Sequence, residues 1–317
     1  VIKSVRTMIV LTVLGGVLAG CGSPEDTRSR TAALPTASPD AATPAASGPA
    51  TGSASPSRAP ESGPPVLAPG PGGLTPVFER RADGTSGPGA GARGGSAASG
   101  APGASGGEKV VALTFDADMT ADQGPRAAKG EHFDNPALIA SLRRLKVPST
   151  VFMTGRWAQE YPVQARSIGT DPLFEIANHS FSHYAFSSPC YGLPTVGKPD
   201  MRRDVERAFT AIRKTGARSV VPYFRFPGGC YDDVALKALA PTGVTAVQWD
   251  VVSGDAFATD ADAVAEQVLD GVKPGSLVVM HCTRSAAPVT EDAVRRIVPE
   301  LRERGYRFVK VSELMRG

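Results

Sequence analysis

From residue 109 onward, short runs of β-branched and apolar residues alternate with longer stretches of helical periodicity, a pattern that few architectures accommodate. Candidate strands cover residues 110–115, 150–154, 173–177, 220–225, 244–251, 276–281 and 307–311. Helices lie between them. In the one expected over 200–215, Met201, Val205, Ala208, Phe209 and Ile212 share a face, Asp200 stands at the N-cap position and Gly216 follows as a stop. Asn135-Pro136 opens another helix leading to Lys146, and residues 291–303 keep the same period through Val294, Ile297, Val298 and Leu301. Strands alternating with helices imply an α/β fold with a parallel sheet, and seven such units imply a barrel or an incomplete one.

Chemically versatile residues collect at the strand ends. Asp116 and Asp118 end the first strand, His179 the third, Arg225 the fourth and His281 the sixth, while Asp255 follows the fifth. In parallel β/α folds the carboxyl ends of the strands share one face, where active sites are built. The chain has only four histidines, and two of them, His179 and His183, have the spacing H-x-x-x-H, which puts both on one side of a helical turn. That pair suits a divalent metal such as zinc, which takes three protein ligands and keeps one position open at catalytic sites. Two surface histidines without a ligand are the alternative.

The N-terminal third reads differently. Lys3 and Arg6 precede an apolar run over residues 8–18 and then Leu18-Ala19-Gly20-Cys21, a secretory signal too short for a comfortable membrane span. Residues 1–20 are expected to be a leader, and the last four residues resemble the bacterial lipobox, in which the cysteine receives lipid. Residues 21–107 are then a lipidated Cys21 and a disordered tether rich in Ala, Pro, Gly and Ser, with too little apolar surface to offset its ordering entropy. An exported protein held on the outer face of the membrane is expected. Residues 108–317 suit one domain with a full core. A formal net charge of only +3 excludes a basic field that would attract nucleic acid, and a monomer is expected. Cys190, Cys230 and Cys282 allow one disulfide and one free thiol, with the pairing open.

Thr114-Phe115-Asp116-Ala117-Asp118, His179-Ser180-Phe181-Ser182-His183, Arg225-Phe226-Pro227-Gly228-Gly229, the run Trp249 through Asp255, and Leu277-Val278-Val279-Met280-His281 follow one another in an order that resembles the polysaccharide deacetylase family. This family is also called the NodB-homology domain or carbohydrate esterase family 4. The resemblance spans nearly all of residues 108–317. It implies a distorted (β/α)7-type barrel, with its active site at the carboxyl ends of the strands, that removes acetyl groups from sugars with one divalent metal ion, most often zinc. It further implies that His179 and His183 are ligands, Asp116 the general base, His281 the proton donor, Asp255 the partner that orients His281, and Arg225 the partner that keeps Asp116 ionised and aimed.

Two departures from the family pattern matter. Ala117 stands where the family has its third ligand, an aspartate. On an extended strand Asp116 and Asp118 project to the same side, so Asp118 is the expected replacement, with a metal held by the two histidines and waters as the alternative. Gly228 stands where the family usually has tyrosine, whose backbone N–H helps bind the oxyanion, a role that glycine retains. The expected activity is N-deacetylation of a wall or extracellular glycan, with peptidoglycan or another N-acetylglucosamine polymer as substrate. O-acetyl ester hydrolysis on xylan and a non-catalytic glycan-binding lipoprotein are the alternatives. Among the remaining polar residues, Asp250 reads as a support behind the site or a loop-stabilising residue, His132 as a solvated loop residue, Trp157 as packing and Ser180 as a turn cap.

Overall fold

A computed structural model describes residues 63–82 and 108–317. The leader, Cys21 and the remainder of the expected tether lie outside the described residues. Among the described residues, nine strands, all paired in parallel, form one sheet: β1 (Val77–Phe78), β2 (Val110–Ala117), β3 (Ser149–Met153), β4 (Phe174–Asn178), β5 (Val220–Phe224), β6 (Thr245–Val247), β7 (Val251–Val252), β8 (Ser276–His281) and β9 (Arg307–Phe308). Their order is β1-β6-β5-β4-β3-β2-β8-β7, with β9 beside β2. Helices α1 (Gln123–Ala127), α2 (Pro136–Arg144), α3 (Gly155–Glu160), α4 (Pro162–Gly169), α5 (Met201–Lys214), α6 (Asp233–Leu239), α7 (Ala261–Gly271), α8 (Thr290–Glu303) and α9 (Val311–Leu314) connect them.

Central strands need apolar residues on both faces, because helices and barrel interior cover both sides. All eight residues of β2 are buried accordingly. The amphipathic helices close the outer layer. In α5, Met201, Val205, Ala208, Phe209 and Ile212 are all buried, as are Val294, Ile297, Val298 and Leu301 in α8. Asn135 caps α2 by accepting a hydrogen bond from the Leu138 amide at 3.1 Å. Asp200 does not cap α5. Its backbone is already helical (φ −100°, ψ −12°) at the end of a 3-10 turn, so its carboxylate pairs with Arg203 instead of the helix amides.

The single strand expected over 244–251 is two. Strand β6 lies at one end of the sheet, between β5 and β1, whereas β7 lies at the other, beside β8. Residues 248–250 cross between the two edges, and Asp250 secures the crossing by accepting hydrogen bonds from the Ser276 hydroxyl (2.8 Å) and the Leu277 amide (2.7 Å). This crossing bends the sheet into an incomplete barrel. Likewise the expected strand over 307–311 ends at Phe308, because Val311 already begins α9.

The tether reading requires correction for residues 63–82. Val77 and Phe78 form β1 against Ala246 and Val247, and the Leu67 amide donates to Thr245 Oγ1 at 3.0 Å. The Tyr223 hydroxyl donates to the Pro65 carbonyl at 2.9 Å, the Thr75 hydroxyl to the Leu236 carbonyl at 2.9 Å, and the Arg81 amide to the Gly275 carbonyl at 2.9 Å. Leu74, Val77 and Phe78 pack on core clusters of the barrel. A few apolar residues in a Pro/Gly-rich stretch therefore dock because an unfilled sheet edge offers them both backbone partners and apolar contact.

Candidate active site

The carboxyl ends of β2, β4, β5 and β8 carry the candidate residues. Asp116 and His281 are direct register partners on β2 and β8. Arg225, just past β5, is wholly buried, and a buried guanidinium needs all of its donors used. Nη1 donates to Asp116 Oδ1 at 2.7 Å, Nη2 to Thr114 Oγ1 at 2.8 Å, and Nε to the Val247 carbonyl at 3.2 Å. The Phe152 ring lies 3.8 Å beneath the guanidinium. Asp116 is thereby fixed with one oxygen on Arg225 and the other, Oδ2, 3.6 Å from His179 Nε2.

The histidine pair comes together through a loop, not the helical turn that the spacing suggested. Ser180 and His183 adopt left-handed backbone (φ +72° and +58°), which folds the segment back and brings the two imidazole centroids within 5.0 Å. Polar side chains hold this fold. Asn178 Oδ1 accepts from the Ser180 amide at 2.8 Å, Ser180 Oγ from the His183 amide at 2.9 Å, and Asp204 Oδ1, on α5, from the Phe181 amide at 2.7 Å. His179 Nδ1 lies 3.0 Å from the Arg225 carbonyl. A carbonyl only accepts, so Nδ1 carries the proton and Nε2 presents its lone pair to the site. Burial lowers the His179 pKa to about 4, which keeps the ring neutral.

Asp118 faces the same cluster. Its Oδ2 is 3.3 Å from His183 Nε2, and its Oδ1 accepts from the Thr283 hydroxyl. Burial opposes its charge, but His183, His281, Thr283 and His179 together hold its pKa below the ordinary value. Ala117 is buried on the other side of the strand. Among the described residues, no three His, Cys, Asp or Glu side chains close on one point as a preformed metal cage. The donor set nevertheless fits a divalent ion. His179 Nε2 presents a lone pair, and the 3.3 Å between Asp118 Oδ2 and His183 Nε2 is about the separation of two ligand atoms around a tetrahedral zinc with bonds near 2.0–2.2 Å.

His281 Nδ1 lies 2.8 Å from Asp255 Oδ1, and the His281 amide donates to Asp255 Oδ2 at 2.7 Å. Ser253 and Thr290 hydroxyls donate to the same carboxylate at 2.9 and 2.7 Å. Burial opposes the imidazolium, yet the charge and hydrogen bond of Asp255 outweigh it and raise the His281 pKa to about 9. Gly228 sits in the 3-10 turn Pro227–Gly229 at φ +62°. A Cβ there would lie 2.7 Å from Cys190 Sγ, so the turn requires glycine. Cys190 and Cys230 form the disulfide, and Cys282 is the buried free thiol.

Several contributors had little signal in the sequence. Thr283, Thr290, Ser253 and Asp204 act only through residues far along the chain or at loop turns, and nothing local distinguishes them from ordinary polar residues. Thr114 and Ser253 lay inside motifs, but neither was marked there as a site residue. His132, half exposed, pairs with Asp134 at 3.1 Å, and Trp157 is fully buried with its indole donating to the Phe133 carbonyl at 2.6 Å.

Residues 103–247 match the polysaccharide deacetylase family. A chitooligosaccharide deacetylase of Sinorhizobium fredii is 29% identical over 198 residues, covering 59% of this chain and 86% of that protein. A peptidoglycan N-acetylglucosamine deacetylase of Bacillus cereus is 28% identical over 212 residues, covering 66% and 89%. Among solved structures, a mutant with restored activity of a carbohydrate esterase family 4 pseudoenzyme from Bacillus anthracis superposes with a TM-score of 0.52 at 25% identity, covering 66% of this chain and 68% of that one. The segment 103–247 is thus identified as a polysaccharide deacetylase domain, with the relatives' similarity extending beyond it.

Proposed function

We propose that this protein is a metal-dependent hydrolase that removes N-acetyl groups from a cell-wall or extracellular glycan built on N-acetylglucosamine. The observation that carries this reading is the pairing of Asp116 with His281 across adjacent strands, one held by Arg225 and the other by Asp255. A divalent ion, zinc foremost, held by Asp118, His179 and His183 would polarise the acetyl carbonyl and make a water more acidic. Asp116, oriented by Arg225, takes the proton of the attacking water. The Gly228 N–H supports the negative charge that develops on the carbonyl oxygen. His281, protonated at neutral pH, gives its proton to the departing nitrogen as the C–N bond breaks, leaving acetate and a free amine. Asp255 keeps that imidazole charged and correctly turned. The leader-like residues 1–20 and the lipobox-like segment ending at Cys21 support an exported enzyme within reach of the wall.

Metal analysis and acetate release test the proposal together. Wild-type protein is expected to bind about one zinc per chain and to release acetate from N-acetylglucosamine oligomers or peptidoglycan, and His179→Ala to lose both. Acetate from acetylated xylan alone would replace the amide substrate by an ester. Ala117 in the place of a family ligand, together with a pseudoenzyme among the relatives, favours a second reading, a glycan-binding protein without turnover. Glycan binding with neither metal nor acetate would establish that reading instead.

A further inference from the structure

Beside the Gly228 turn stands a side chain with no packing role. Tyr191 is 88% exposed, the most exposed of the large hydrophobic residues described. Its backbone is left-handed (φ +46°), as is that of Gly192 (φ +75°), and the Leu193 amide closes the turn by donating to the Cys190 carbonyl at 2.8 Å. Both central positions of such a turn favour glycine or asparagine, and an aromatic residue there is a local expense with no gain in core burial.

The turn is nevertheless anchored firmly. The Cys190–Cys230 disulfide ties it to the segment immediately after Gly228, and Cys190 itself is buried. A Cβ built on Gly228 would lie 2.7 Å from Cys190 Sγ, 3.3 Å from Tyr191 Cδ2 and 3.5 Å from Leu193 Cδ1. The disulfide and the Tyr191 ring therefore occupy the room that a side chain at position 228 would fill. An exposed aromatic ring is thus tied by the disulfide next to Gly228, the residue whose amide is assigned to the oxyanion.

We propose that Tyr191 is a substrate-binding residue, whose ring stacks against a pyranose ring of the glycan chain next to the sugar being deacetylated. Pyranoses with equatorial substituents present faces of C–H groups, which bury apolar area on an aromatic face and meet its negative quadrupole. The disulfide supplies preorganisation, so little freedom is lost on binding. This inference rests on the deacetylase reading.

The test compares wild type, Tyr191→Ala and Tyr191→Phe, all as the full chain, on N-acetylglucosamine hexamer and on 4-methylumbelliferyl acetate, which has no sugar ring. Tyr191→Ala is expected to raise KM for the hexamer about tenfold, the scale of one well-stacked ring, with kcat within about twofold. Tyr191→Phe keeps the wild-type KM, and hydrolysis of the small ester is the same in all three. Calorimetric titration of the hexamer into the chelated proteins reads the same contrast without turnover. Equal hexamer affinity in wild type and Tyr191→Ala, or a matching loss on the small ester, overturns the role of Tyr191. Binding without acetate release from any substrate would sink the deacetylase reading while still showing whether Tyr191 contributes to binding. A wild-type chain that neither binds nor hydrolyses sinks both.

Discussion

Asp116 and His281 face each other as register partners on neighbouring parallel strands, so a candidate proton acceptor and a candidate proton donor stand one strand spacing apart. Each is buttressed from a different direction, Asp116 by Arg225 and His281 by Asp255. Each of the two therefore has a hydrogen-bonded partner of its own and is held in place independently of the other.

Replacing His281 by alanine is expected to lower turnover at least about 10²-fold while metal content and fold persist. Asp255→Asn removes the charge that raises the His281 pKa to about 9. Its pH–rate profile should lose activity at a lower alkaline pH than wild type does. An unmoved alkaline limb would show that the limb belongs to another group.

Arg225→Met strands the Asp116 carboxylate in a buried site. Breaking one partner of a buried ion pair costs about 3–5 kcal/mol, and denaturant unfolding should show a loss on that scale. Arg225→Lys should recover only part of it, since an ammonium cannot reach Asp116, Thr114 and the Val247 carbonyl together.

Thr283 reaches the candidate metal site only through Asp118. Thr283→Val is expected to weaken zinc affinity about 10- to 100-fold, as loss of an orienting partner does, and Asp118→Ala to weaken it further. Competition with a fluorescent chelator measures both. Unchanged affinity in Asp118→Ala would place the third ligand elsewhere.

In the chelated protein, two histidines should bend the stability curve in opposite directions. The raised pKa of His281 gives stability that is full below about 6.5 and lost as pH climbs through about 9. The lowered pKa of His179 gives stability that is full above about 6.5 and lost as pH falls towards about 4. Urea midpoints measured across this range should peak between the two limits, and His281→Ala should remove the alkaline slope alone.

Gly228→Ala forces a Cβ onto Cys190 Sγ at a left-handed residue. A destabilisation of more than about 1 kcal/mol is expected, with a fall in kcat, readable by thermal melting and acetate release.

Much of the barrel was legible because its information is periodic and local. Fully apolar runs such as β2 mark strands buried on both sides, and the one-sided stripe of α5 marks an outer helix. Strand ends then located Asp116, His179, Arg225 and His281 without any knowledge of distances. The residues 63–82 were illegible for the complementary reason. A two-residue strand in a Pro/Gly-rich stretch has no periodicity, and it forms only because β6 offers an open edge. The turn at 248–250 was hidden similarly, since the apolar run continues while the chain changes edges.

The sequence by itself determined the α/β class, the principal helices and the strand ends that carry the polar residues, because hydrophobic period and side-chain chemistry are properties of short segments. Only the tertiary structure decided that Asp118 faces His183, that Cys190 joins Cys230 and that Thr283, Thr290 and Asp204 serve the site. Those relationships depend on how strands distant along the chain are laid side by side, and burial then dictates which partner each charge must find.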